Sequence, residues 1–132
     1  MSRRIVIFSP SYATGGGVET IIHDLCRTLP SRGWNPILAL AQGASFNCVD
    51  RYRDLHPDLP IVAVDGTKGT RQARLEALTN TIKSLSPDIV LSFRLFDAYF
   101  AAALEKQHRK NLRLAIAIRG YEPHYLFDAR LF

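Results

Sequence analysis

The sequence predicts an α/β fold, namely a Rossmann-like, doubly wound parallel sheet with helices on both faces, formed by a single domain over residues 1–132. Three observations predict it. Short apolar runs alternate along the chain with stretches of helical periodicity. The first run, residues 5–8, is continuously apolar, as expected for a strand that is covered on both faces. The connections are long enough for right-handed crossovers between parallel strands.

The chain opens with a strand, a glycine loop and a helix. The strand is predicted from Arg4 to Phe8, and the helix from about Val18 to between Pro30 and Arg32, with Gly33 as its stop. Apolar residues recur on one face of this helix: Val18, Ile21, Ile22, Leu25, Cys26 and Leu29. The loop between the two elements contains three consecutive glycines.

The later elements alternate in the same way. Strands are predicted at residues 36–41, 61–64, 89–93 and 114–118, and helices at about 70–84 and 96–110. In the second helix, Leu75, Leu78, Ile82 and Leu85 share one face. Between residues 42 and 60, the spacing of Phe46, Val49, Tyr52 and Leu55 indicates a short helix.

Composition narrows the class of protein. With 47% hydrophobic and 22% charged residues, the 132-residue chain is typical of a soluble globular protein. No apolar run approaches the roughly 18 residues of a membrane span, and we find no signal peptide, so we expect a cytoplasmic location. The two cysteines, Cys26 and Cys48, lack metal-binding spacing, and we expect no metal site.

The net charge of +5 favours anionic partners. Because the arginines are scattered along the chain and not clustered on one helix, nucleic acid is an unlikely partner. A lipid-linked or otherwise anionic acceptor, with peripheral contact to the inner face of an anionic membrane, is a further hypothesis.

The glycine loop predicts an anion site. The first amides of a helix lack partners and lie at the positive end of its dipole, and glycine lets a ligand approach the backbone. We therefore predict phosphate binding at Thr14, Gly15, Gly16 and Gly17. The alternative is a tight turn that serves only strand-to-helix packing.

Other candidates follow from the position of ligands in such sheets, beyond the carboxyl ends of the strands. Arg94 follows the fourth strand, and Arg119 and Tyr121 follow the fifth. These three side chains are predicted substrate- or phosphate-binding residues.

Several phosphate-binding classes do not fit the loop. A dinucleotide fingerprint needs a third glycine and an acidic residue after the second strand, whereas the sequence has Thr20 and Gln42 at these places. No lysine follows the glycines as in a P-loop. Asp65 ends the third strand as a phospho-acceptor would, but its acidic partners are replaced by Ser9 and Pro10. A stand-alone flavodoxin-like phosphate- or flavin-binding module stays open, because hydroxyl groups surround the glycines.

The order and spacing of two segments are similar to those of a known family. A strand ending in Ser-Pro is followed by Tyr-Ala-Thr-Gly-Gly-Gly-Val-Glu at residues 12–19 and by an apolar helix, and Ser-Pro-Asp-Ile-Val-Leu-Ser follows at residues 86–92. This pattern resembles the N-terminal domain of GT-B glycosyltransferases of family four (group 1), over most of the chain.

The resemblance implies a retaining glycosyltransferase that moves a sugar from a nucleotide diphosphate sugar to an acceptor, with no metal or further cofactor. It places Gly15, Gly16 and Gly17 near the donor diphosphate. The family often has a histidine after the fifth strand, where this chain has Arg119. Arg119 and His124 are therefore weak catalytic candidates, and the catalytic base is not identified.

The resemblance also implies a missing partner. We expect residues 1–132 to be a truncated acceptor-side domain, without the C-terminal donor-binding domain and with little or no activity alone. A second possibility is a non-catalytic subunit of a split glycosyltransferase, which would bind a separate donor-binding chain.

Overall fold

The computed structural model describes residues 3–9, 17–40, 57–64, 70–93 and 96–117. The strands are β1 (Arg3–Ser9), β2 (Trp34–Leu40), β3 (Ile61–Ala63), β4 (Ile89–Phe93) and β5 (Arg113–Ala117). The helices are α1 (Gly17–Thr28), α2 (Arg71–Leu85) and α3 (Phe96–Lys106), with one turn of 3₁₀ helix at Pro30–Arg32.

The described strands form one parallel sheet in the order β3-β2-β1-β4-β5. This is the Rossmann order, in which the chain returns to the centre and adds β4 on the other side of β1. A flavodoxin-like sheet has a different order, with its third strand beside its first. The topology therefore confirms the predicted fold class and argues against the flavodoxin-like alternative.

β1 is the centre of the core. Ile5, Val6, Ile7 and Phe8 are all buried, as their continuous apolar run predicts. Successive residues point to opposite faces of the sheet. Val6 and Phe8 thus pack in one hydrophobic cluster, and Ile5 and Ile7 in the other.

The helix α1 covers one face of the sheet. Ile22 and Cys26 are buried against Ile5, Ile7 and Leu38. The chain then turns at Gly33, which has a positive φ of 84° and donates its N–H to the Pro30 carbonyl at 3.2 Å. The helix α1 ends at Thr28, before the predicted end between Pro30 and Arg32, and Gly33 instead ends the 3₁₀ turn, where left-handed backbone favours glycine.

The helices α2 and α3 cover the opposite face. Leu78 and Ile82 of α2 are fully buried, and Leu75 and Leu85 pack half-buried beside them, so the predicted apolar face is confirmed. From α3, Ala101 and Ala102 are buried in the same cluster. Small side chains at this position let the backbone of α3 approach its neighbours closely.

The ends of several elements differ from the predictions. β2 begins at Trp34, two residues before the predicted start at Pro36. The proline is accommodated because β3 pairs with β2 only from Leu38 onward, so the missing N–H faces no neighbouring strand. The helix α3 ends at Lys106 and not at residue 110. There the Lys106 ammonium bonds the Lys110 and Leu112 carbonyls, and this closes a turn.

The short helix predicted between residues 42 and 60 falls mostly outside the described residues. None of the described helices is long and apolar enough to cross a membrane.

Candidate functional site

The strand order reverses between β1 and β4, and this defines the switch point of the sheet. The two strands pair in parallel with Phe8 opposite Ser92, so Ser9 and Phe93 end them side by side. Crossovers leave in opposite directions from these neighbouring ends, which opens a crevice at the carboxyl edge. In open α/β sheets this crevice is where ligands bind.

The amino end of α1 lies at the same edge. The helix begins at Gly17 and runs 12 residues to Thr28. Its first amides have no partner within the helix, and its dipole is positive at this end. The chain passes from the buried end of β1 at Ser9 to this helix start within a few residues. The fold therefore brings the first turn of α1 to the switch-point edge.

A buried hydroxyl stands at the end of β1. Ser9 is only 1% exposed, and its Oγ has no hydrogen-bond partner. Two residues beyond Ile7, it lies on the face of the sheet that α1 covers. A buried hydroxyl without a partner costs roughly 1–3 kcal/mol. Ser92 of β4 is equally buried but has an interaction partner.

Among the predicted site residues, Gly17 is described, and it begins α1, one residue before the predicted helix start at about Val18; its phosphate-binding role stays a prediction. The other predicted residues lie outside the described part of the chain: Thr14, Gly15, Gly16, Arg94, Arg119, Tyr121 and His124. Their assignment stays a prediction.

The sequence pointed to Ser9 only as one of the hydroxyls around the glycine loop, under the flavodoxin-like alternative, and not as a predicted site residue. The available signal was its position, since a polar residue that ends the central strand of a parallel sheet adjoins the switch point. Its burial, and the lack of a partner for its hydroxyl, are visible only in the structure.

Cys26 lies near the end of α1, away from the switch-point edge. Burial raises the pKa of its thiol from 9.0 to about 11, so the reactive thiolate is disfavoured at neutral pH. It adjoins a cavity of about 800 Å³ whose lining also includes Arg4, Pro36 and Pro60. This cavity lies at the amino ends of β1 and β2, on the opposite edge from the switch point. No cluster of metal-binding side chains occurs among the described residues.

The class of protein that this topology defines is a Rossmann-like domain with a ligand crevice at the switch point of a parallel sheet. The sequence matches no family model and no curated protein sequence. Solved structures do match the fold, and glycosyltransferases are prominent among them.

A glycosyltransferase from Rickettsia africae ESF-5 superposes with a TM-score of 0.63 at 14% identity, over 98% of this chain and 34% of that chain. Anabaena HepE (Alr3699), solved with UDP and glucose, gives a TM-score of 0.60 at 14% identity, over 86% and 29% of the two chains. A Bacillus anthracis dTDP-glucose 4,6-dehydratase, solved with NAD, gives 0.56 at 17% identity, over 87% and 37%.

At these identities the likeness concerns the fold. This Rossmann-like fold is shared with a solved glycosyltransferase structure, so the expected resemblance is confirmed at the level of the fold. The chain spans about a third of the length of these structures.

Proposed function

We propose that this chain is the acceptor-side domain of a retaining glycosyltransferase that uses a nucleotide diphosphate sugar. In this proposal the switch-point edge, with Ser9 and the start of α1 at Gly17, faces the donor diphosphate. The observation that carries it is the unpartnered, buried Ser9 hydroxyl at the same edge as the first turn of α1.

The chemistry of sugar transfer fits such a site. As the glycosidic bond breaks, negative charge grows on the departing diphosphate. Fixed N–H and O–H donors directed at that charge interact more strongly with the transition state than with the ground state, and therefore accelerate the reaction. The Ser9 hydroxyl gives up no other partner when it donates to a phosphate oxygen, but at 1% exposure the groups that cover it have to move first.

The structural neighbours support a nucleotide sugar as the ligand. HepE was solved with UDP and glucose, and a second neighbour, TcCGT1, was solved with UDP. The dehydratase neighbour was solved with NAD, so the fold by itself does not separate the two classes. The sequence favours the first class, since the third glycine and the ribose-binding carboxylate of a dinucleotide site are both replaced.

We further propose that a second, donor-binding domain completes the enzyme. The solved neighbours are about three times as long as this chain, which is consistent with a partner domain that these residues do not supply. The isolated 132-residue chain is then inactive. Turnover of a nucleotide sugar by the purified chain alone, at a rate above the uncatalysed reaction, would contradict this part of the proposal.

The anion site is tested by removing a single backbone N–H donor, that of Gly17. Proline at the first position of a helix keeps the helical φ and lacks only the N–H, so Gly17→Pro preserves α1 while deleting one donor. Since a hydrogen bond to a charged group contributes about 1.5–3 kcal/mol, we expect roughly 10- to 100-fold weaker binding of pyrophosphate.

The matched control is Gly17→Ala, which retains the N–H. Binding is measured by titration monitored in amide correlation spectra, which detect weak affinities. Unchanged affinity in the proline variant, or equal loss in both variants, would show that the α1 amide does not hold the anion.

A further inference from the structure

Among the described residues, positive charge is concentrated at the amino-terminal edge of the sheet, opposite the switch point. Three arginines begin strands there: Arg3, Arg4 and Arg113. Six more cations end helices or lie in the turns that follow: Arg27, Arg32, Lys83, Lys106, Arg109 and Lys110. All are exposed except Arg109, which is half-buried.

We call these nine cationic residues the basic edge. Fewer carboxylates lie beside them. Among the described residues there are four of these: Asp24, Asp58, Asp88 and Glu105. In the part of the chain that the structure describes, this edge therefore carries five more cations than carboxylates. Residues scattered in sequence are gathered because every described strand begins at the same edge.

Part of the basic edge has a structural role. Arg27 pairs with Asp24 at 3.3 Å, Arg109 donates to the Pro87 carbonyl at 3.0 Å, and Arg4 donates to the Leu85 carbonyl. In contrast, the side chains of Arg32, Lys110 and Arg113 form no hydrogen bond or ion pair with another described residue. These three side chains can therefore bind an external anion without breaking a hydrogen bond or ion pair to another described residue.

An aromatic side chain and a recess lie at the centre of the basic edge. The Arg3 guanidinium sits over the ring of half-buried Trp34, 5.5 Å from its centroid. Beside this pair a recess of about 180 Å³ opens between Arg3 and Arg113, with Asn111 and Asp88 also in its wall. The Asp88 carboxylate accepts a hydrogen bond from the Arg4 backbone N–H at 2.8 Å, so one of its oxygens is already bonded within the protein.

We propose that the basic edge docks on an anionic phospholipid membrane, with a headgroup phosphate in the recess between Arg3 and Arg113. Clustered Lys and Arg with an interfacial tryptophan are the features that attract such a surface. Nucleic acid fits less well, since base stacking needs a free aromatic face and Arg3 already covers Trp34. This inference does not depend on the proposed transferase activity.

The orientation has a consequence for the chain's other edge. β1 runs seven residues from Arg3 to Ser9, or about 20 Å at the usual rise of a strand. With the basic edge on the membrane, the switch point is held about that far above the headgroups and faces away from them. A lipid-linked acceptor would have to extend over this distance to reach it.

The test is sedimentation with vesicles of phosphatidylcholine and phosphatidylglycerol in equal amounts, compared with phosphatidylcholine alone. We expect binding to the anionic vesicles only, and weaker binding at high salt. Each cation near the surface changes affinity about fivefold, so Arg3→Ala with Arg113→Ala should weaken partitioning about thirtyfold. Circular dichroism checks that the variant is folded.

Two further pairs of substitutions make the test specific. Arg32→Ala with Lys110→Ala removes two cations whose side chains form no bond with another described residue. We expect this variant to lose about as much vesicle binding as Arg3→Ala with Arg113→Ala, so it serves as the test if that first variant does not fold. Arg71→Ala with Arg74→Ala removes the same charge from the amino end of α2, at the opposite edge, and should leave partitioning unchanged. Equal loss in this control, binding to neutral vesicles, or binding to RNA but not to vesicles would overturn the proposal.

Discussion

The two buried serines at the switch point provide a matched test of the site. Ser9 and Ser92 stand at the ends of neighbouring strands and are both almost fully buried. The Ser9 hydroxyl has no partner, whereas Ser92 has one. The two side chains lie on opposite faces of the sheet, since Ser92 pairs with Phe8 and Ser9 follows Phe8 in β1, so each alanine variant is compared with the unsubstituted chain. The two substitutions should therefore change stability in opposite directions.

The magnitudes follow from the cost of an unmet hydrogen bond. Removing an unpartnered buried hydroxyl relieves a penalty of roughly 1–3 kcal/mol, so Ser9→Ala should raise the free energy of unfolding by about 1 kcal/mol. Ser92→Ala removes a satisfied hydroxyl and should lower it by about 1 kcal/mol. For a chain of this size each change shifts the Tm by about 3 °C.

Urea unfolding followed by circular dichroism measures both effects, as shifts of the midpoint at constant slope. The same Ser9→Ala variant should bind UDP more weakly, because it lacks a donor to the diphosphate. If Ser9→Ala destabilises the chain as much as Ser92→Ala does, the Ser9 hydroxyl already has a partner within the protein. It would then not be reserved for a ligand, and the argument for the site would fail.

Two other predictions concern the core. The pKa of Cys26 is raised from 9.0 to about 11 on folding, so its contribution to stability is complete below pH 9 and falls by about 2–3 kcal/mol as the pH rises through 11. Urea midpoints from pH 8 to 11 should decline less in Cys26→Ala, and an equal decline would contradict the assignment. Leu78→Ala should cost about 2–5 kcal/mol because Leu78 is fully buried, whereas Leu104→Ala, at a 48% exposed position, should cost under 1 kcal/mol by the same assay. Similar losses at both positions would contradict the packing described here.

The sequence was informative wherever local periodicity and tertiary burial agree. The continuous run from Ile5 to Phe8 predicted a strand covered on both faces, and the burial of all four residues confirms it. Gly33 marked the turn before β2 because its left-handed φ excludes most residues. The apolar face of α2 was evident from the spacing of Leu78 and Ile82.

Features that depend on long-range placement were not predictable. The basic edge combines residues from Arg3 to Arg113, which share no local pattern and meet only because parallel strands begin at one edge. The end of α3 was misplaced because Lys106 bonds carbonyls four and six residues ahead, and propensity does not register such contacts. The orphaned Ser9 hydroxyl depends on the full set of neighbours, of which the sequence names none.

The central claim is that the carboxyl edge of β1 and the start of α1 receive the diphosphate of a nucleotide sugar. Titrating UDP into the chain while recording amide correlation spectra tests it most directly, because each backbone amide reports separately. The account predicts shifts concentrated at Ser9 and Gly17, and their loss when uridine replaces UDP. Shifts concentrated on the basic edge, or equal responses to UDP and uridine, would contradict it.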